Sequence, residues 1–169
     1  MGKSPHRSYE KIRKPDLRRL LRLARAQLDE MLFRRATAKH YRSADSLIAC
    51  LCQGTALHYA HGERGVNDWD VVFFFRTNRR AKFPVRWIGR TDFGSSRFGR
   101  NPDDGSGYVG RRIDVMGRDI PVPKAASAEQ AIVAYLSVAK APSARRWAAR
   151  PMVALTPAWR ADKIIWPPA

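Results

Sequence analysis

The sequence predicts an α/β (α+β) chain, a small sheet with helices packed around it, and two observations carry that prediction. Leu17, Leu20, Leu21, Ala24, Leu28, Met31 and Leu32 recur at helical spacing and form one apolar stripe. From Trp69 to Phe75 both alternating sets are apolar instead. Trp69, Val71, Phe73 and Phe75 fall on one side, Val72 and Phe74 on the other. Such a strand is central and covered on both faces.

The remaining elements follow in order. Residues 1–14 are expected to form a polar, basic, flexible arm. Pro15-Asp16 opens the first helix, because proline is tolerated in the first turn and an acid is favourable beside the N-terminal dipole. A polar joint from Arg42 to Asp45 precedes a strand from Leu47 to Cys52. Thr55 to His61 fits a short helix, and residues 62–65 a turn into the Trp69 strand. Val85 to Ile88 is a further strand, and Arg111 to Met116 the last strong one. Between them, Arg90 to Gly110 is rich in glycine and carries Arg97 and Arg100. Long loops in compact domains are usually functional or mobile, and Arg97-Phe98 also fits the start of a short strand. Ala128 to Ala139 makes a helix, continued after Pro142 by Ala144 to Ala149. The domain proper is expected to span 15–150. Residues 151–169, with Trp159, Trp166 and four prolines, are expected to pack over it as an ordered extension.

Composition narrows the function classes. A length of 169 residues suits one domain with a sizeable core. The 32 Lys+Arg against 15 Asp+Glu give a formal charge of +17, which concentrates polyanions at the surface. Cys50 and Cys52 lie two apart on a strand, too extended for an easy disulfide, so they read as small core residues rather than part of a secreted framework. No apolar run is long enough to cross a bilayer, and no apolar segment follows the basic N-terminus as in a secretory signal. A cytoplasmic protein with no membrane partner is expected.

The chemistry concentrates in two stretches. Gly54-Thr55 ends a strand at the start of a helix, where backbone N–H groups are available to phosphate oxygens. Asp68 and Asp70 open the next strand and point to the same side. Carboxylates that close repel one another unless a cation lies between them, and Mg²⁺, or Mn²⁺, is the natural partner for oxygen ligands beside phosphates. Asp114 interrupts the apolar pattern of its strand, on the opposite face from Ile113 and Val115. A buried acid there needs a metal or an arginine partner, and this chain has many arginines. Arg18, Arg22 and Arg25 flank the first helix's stripe, as a solvated edge or as a phosphate-contacting ridge. His58 and His61 lack the further ligands of a zinc site, and Asp103-Asp104-Gly105 reads as a turn.

Gly54-Thr55, then Asp68-Trp69-Asp70, then Asp114 on a later strand resembles the DNA polymerase beta-type nucleotidyltransferase superfamily over roughly residues 47–116. Gln53 stands where that pattern has an apolar residue, and Thr55 where serine or glycine is commoner. The resemblance implies a small mixed sheet with helices packed against it. It implies that Gly54 and Thr55 hold the β/γ-phosphates of an NTP, that Asp68 and Asp70 bind two metal ions, and that Asp114 shares one metal and helps deprotonate the acceptor. Arg97 is a further candidate for the triphosphate or the acceptor. The expected activity is transfer of a nucleoside monophosphate to an acceptor, with RNA, a tRNA end first among RNAs, the acceptor that the charge favours. Small members of that superfamily include toxins of toxin-antitoxin pairs, antibiotic-modifying enzymes and protein modifiers, among which the sequence does not choose; for the first of these an antitoxin-like protein partner is expected. The rival is a non-catalytic nucleic-acid-binding module on a degenerate transferase fold. A third reading is an interaction protein that uses the aromatic tail.

Overall fold

Asp16 sets the start of the first helix by accepting the Arg13 N–H at 2.8 Å, with Pro15 in the first turn. The computed structural model describes residues 10–34, 40–62, 65–78, 83, 86–94 and 111–167, and for 86–90 the backbone alone. The elements are α1 (Lys14–Phe33), β1 (Ile48–Cys52), α2 (Gln53–His61), β2 (Asp68–Arg76), β3 (Arg86–Asp92), β4 (Arg112–Ile120), α3 (Ala128–Val138), α4 (Pro142–Ala148), β5 (Met152–Ala154) and β6 (Ile164–Trp166). The expected mixed α/β class is therefore observed.

Among the described residues, six strands form one mixed sheet in the order β3-β4-β2-β1-β5-β6. Only β2 and β4 pair in parallel; the other neighbours run antiparallel. The double-sided apolar pattern of β2 is used as expected. Trp69, Val71, Phe73 and Phe75 enter one core with the stripe of α1 and Ala56 of α2. Val72 and Phe74 enter a second core with Ile132 and Leu136 of α3 and Trp147 of α4. All six of these β2 residues are at most 2% exposed, so burial on both faces makes β2 the axis of the molecule. Ser127 caps α3 by a reciprocal pair of hydrogen bonds with Gln130, at 3.1 and 2.8 Å.

Three regions depart from the sequence expectations. The segment beyond residue 150 does not lie over the sheet as an extension; β5 pairs with β1 and β6 with β5, so it builds one flank of the sheet. The end of the basic arm is packed: Ile12 is buried, and the Glu10 carbonyl meets His58 Nε2 at 2.9 Å. β4 runs on to Ile120, past the expected end at Met116, because the Phe83 ring covers Gly117 and the strand stays paired with β2. Arg97, Arg100 and Asp103-Asp104-Gly105 lie outside the described residues.

Candidate metal centre

Sheet register brings the acids together. β2 and β4 are parallel and in step, with Asp70 opposite Asp114, while Cys52 at the end of antiparallel β1 lies opposite Asp70 on the other side. One rung of the sheet therefore reads Cys52, Asp70, Asp114, and Asp68 stands two residues before Asp70. Alternation puts Asp68, Asp70 and Asp114 on the same face as Val72, the face packed by α3 and α4. One carboxylate oxygen from each of Asp68, Asp70 and Asp114 lies within 4.8 Å of the others. Asp70 and Asp114 are each 5% exposed and Asp68 is half-buried. The proximity that the sequence argument assumed is present.

Neighbouring elements hold this rung in place. Gln27 of α1 donates its side-chain amide to the Ile113 carbonyl at 3.0 Å, fixing β4 beside Asp114 from the opposite face. The Thr55 hydroxyl donates to the Asp68 carbonyl, tying α2 to the start of β2. Thr55 is thus buried and engaged with backbone, and Gly54, half-buried, is the more accessible part of the Gly-Thr turn. The first-turn N–H groups of a helix have no acceptor within it. Here that turn follows directly on the rung that carries Asp70.

Two residues beyond the expected set belong to the site. Gln53, at φ 59, occupies the left-handed region that a non-glycine residue rarely adopts. Its side-chain amide donates to Asp70 Oδ1 at 2.8 Å. In the sequence it registered as a departure from the family pattern; a polar residue flanking a Gly-Thr turn was the available signal. Arg150, just beyond α4, brings Nη1 to 3.9 Å from where a β-carbon on Gly54 would sit. Nothing in a chain with 32 Lys+Arg marks that one arginine.

The chemistry available here is ionic. The donor set is three carboxylates, hard oxygen ligands of the kind that Mg²⁺ and Mn²⁺ take. Cys52 contributes no thiolate: burial, and then the nearby charge of Asp70, push its pKa well above the ordinary thiol value. Burial likewise raises that of Cys50. Both cysteines are free thiols. No family model, curated protein or solved structure matches this chain.

Proposed function

We propose that the chain is a metal-dependent nucleotidyltransferase that moves a nucleoside monophosphate from an NTP to an acceptor, RNA before other candidates and a tRNA end among RNAs, inside the cytoplasm. The observation that carries the reading is the three-carboxylate cluster, within 4.8 Å, beside a glycine turn that opens a helix. Asp68, Asp70 and Asp114 fit Mg²⁺ or Mn²⁺ by donor type and by spacing. When bound, such ions neutralise triphosphate charge and make the acceptor hydroxyl more acidic.

The chain's own residues supply the rest. The first turn of α2 binds phosphate oxygens through backbone N–H groups, and Gly54 leaves the space for their approach. Arg150 adds a guanidinium beside that turn. Gln53 orients Asp70. Asp114 receives the proton of the acceptor hydroxyl. The acceptor oxygen then bonds to the α-phosphorus as the α–β bridge breaks, and pyrophosphate leaves.

Calorimetric titration of the four NTPs, with Mg²⁺ or Mn²⁺ and with EDTA, tests this reading. The expected result is metal-dependent binding of at least one NTP that Asp70→Asn abolishes. A folded wild type that binds no NTP with either metal would remove the support. The charge of +17 favours a second reading, the non-catalytic nucleic-acid-binding module. That module predicts salt-sensitive RNA binding unchanged by Asp70→Asn, without any NTP binding.

A further inference from the structure

A cavity of about 530 Å³ lies between α1 and the segment from Leu155 to Asp162. α1 packs on the Trp69 face of the sheet, whereas the carboxylates lie on the Val72 face, so this cavity is separate from the acidic cluster. Its volume falls in the range that encloses a small organic ligand. Leu17, Leu21, Leu155 and Pro157 give it apolar walls. Lys14, Arg18 and Arg25 line it from α1, one to three turns apart along a single helix face. Helical rise spreads these cations over about 16 Å.

Two of these three charges are not cancelled among the described residues. Asp162 pairs with Lys14 at 2.6 Å, but Arg18 and Arg25 have no acidic partner among the described residues. Arg25 Nε is buried and donates to nothing there. Trp159, next in sequence to the lining residue Ala158, is 75% exposed, and the Arg160 guanidinium 5.1 Å from its ring centre pairs with Glu129 at 2.8 Å. The segment carrying Trp159 is anchored at its far end. Asp162 donates its N–H to the Ala154 carbonyl at 2.9 Å, and its carbonyl accepts the Tyr59 hydroxyl at 3.0 Å.

We propose that this groove binds single-stranded RNA, with one base in the apolar cavity, a neighbouring base on Trp159 and the phosphates along Arg18 and Arg25. A row of cations tracking beside an aromatic platform is how single strands are held without sequence readout. A net charge of +17 matches a polyanion in sign and scale. Inorganic phosphate alone would leave the apolar walls unused. An anionic lipid surface matches the charge but calls for a plane of headgroups rather than a line along one helix. The proposal deepens the transferase reading by naming where the acceptor docks, and it rests on that reading for the acceptor role alone.

The test is fluorescence anisotropy of a short labelled oligouridine with the full chain, in EDTA and without NTP, across a salt series. Arg18 and Trp159 are exposed, so Arg18→Ala and Trp159→Ala leave the fold intact. The control is Arg146→Ala, which removes an exposed arginine of α4, the helix that packs on the opposite face of the sheet. Arg18→Ala and Trp159→Ala are each expected to weaken binding about tenfold, and Arg146→Ala about twofold or less. Arg18→Ala should also flatten the salt slope by about one. Equal losses for Arg18→Ala and Arg146→Ala would overturn the proposal in favour of diffuse attraction. So would unaltered binding in Trp159→Ala, or losses that appear with anionic vesicles and not with RNA. If these variants behave as expected while the wild type binds no NTP, the transferase reading fails and the groove stands.

Discussion

His58 shows how one buried side chain couples this fold to pH. The imidazole is 1% exposed; Nε2 faces the Glu10 carbonyl at 2.9 Å, and Nδ1 accepts the Gly65 N–H at 3.2 Å. That pattern suits the neutral ring, and burial lowers its pKa despite the opposing pull of the Glu10 carbonyl. The folded state therefore binds a proton at His58 less readily than the unfolded chain, whose value is about 6.5. Stability from this group is fully present above that value and is lost as pH falls from there toward the folded pKa. Thermal melts from about pH 7.5 to about pH 5.5 should show this decline, and His58→Gln should flatten it. A His58→Gln profile as steep as the wild type would remove His58 as the cause. At this scale Asp68 and Asp70 were legible in the sequence as a same-side pair at a strand entrance, and Asp114 because it breaks an apolar strand pattern. Gln53 was legible only as an oddity, since its left-handed backbone and its bond to Asp70 exist only once β1 and β2 pair.

Among the elements, β4 was the most underestimated. Alternation in the sequence ends at Met116, and Gly117-Arg118-Asp119 resembles a strand exit. In the fold Gly117 is a close approach: a β-carbon there would overlap the Phe83 ring. Phe83 cannot yield easily, because it stacks on Phe75 at 4.8 Å and meets Tyr41 edge-on at 4.9 Å. Gly117→Ala should therefore destabilise the protein by about 1–3 kcal/mol, the usual cost of overpacking. Urea unfolding measures it, and a change below about 0.5 kcal/mol would mean that the aromatic cluster rearranges freely. The helices were read more closely, since a stripe such as Leu17 to Leu32 is a local signal.

Taken whole, the molecule hides its edge from the sequence reader. β5 and β6 are three residues each, too short for alternation to register, and they are separated by a proline-containing segment. Yet Met152, Val153 and Ala154 are fully buried, and Val153 and Met152 belong to opposite cores. Deleting residues 151–169 should accordingly give insoluble or unfolded protein by circular dichroism, where loss of a mere covering would leave a folded domain. A soluble product with native melting would contradict the role of β5 as a structural neighbour of β1. The pairing of β2 with β4 has a further consequence, in the order of events during synthesis. These strands share no hairpin, and β4 fits between β2 and β3 only after both have been made. Contacts so distant along the chain close late. A nascent chain that ends before residue 112 carries Asp68 and Asp70 without Asp114. If the cluster transfers nucleotides, the ribosome releases no active fragment from the first half of the message: reactivity arrives only with the finished sheet.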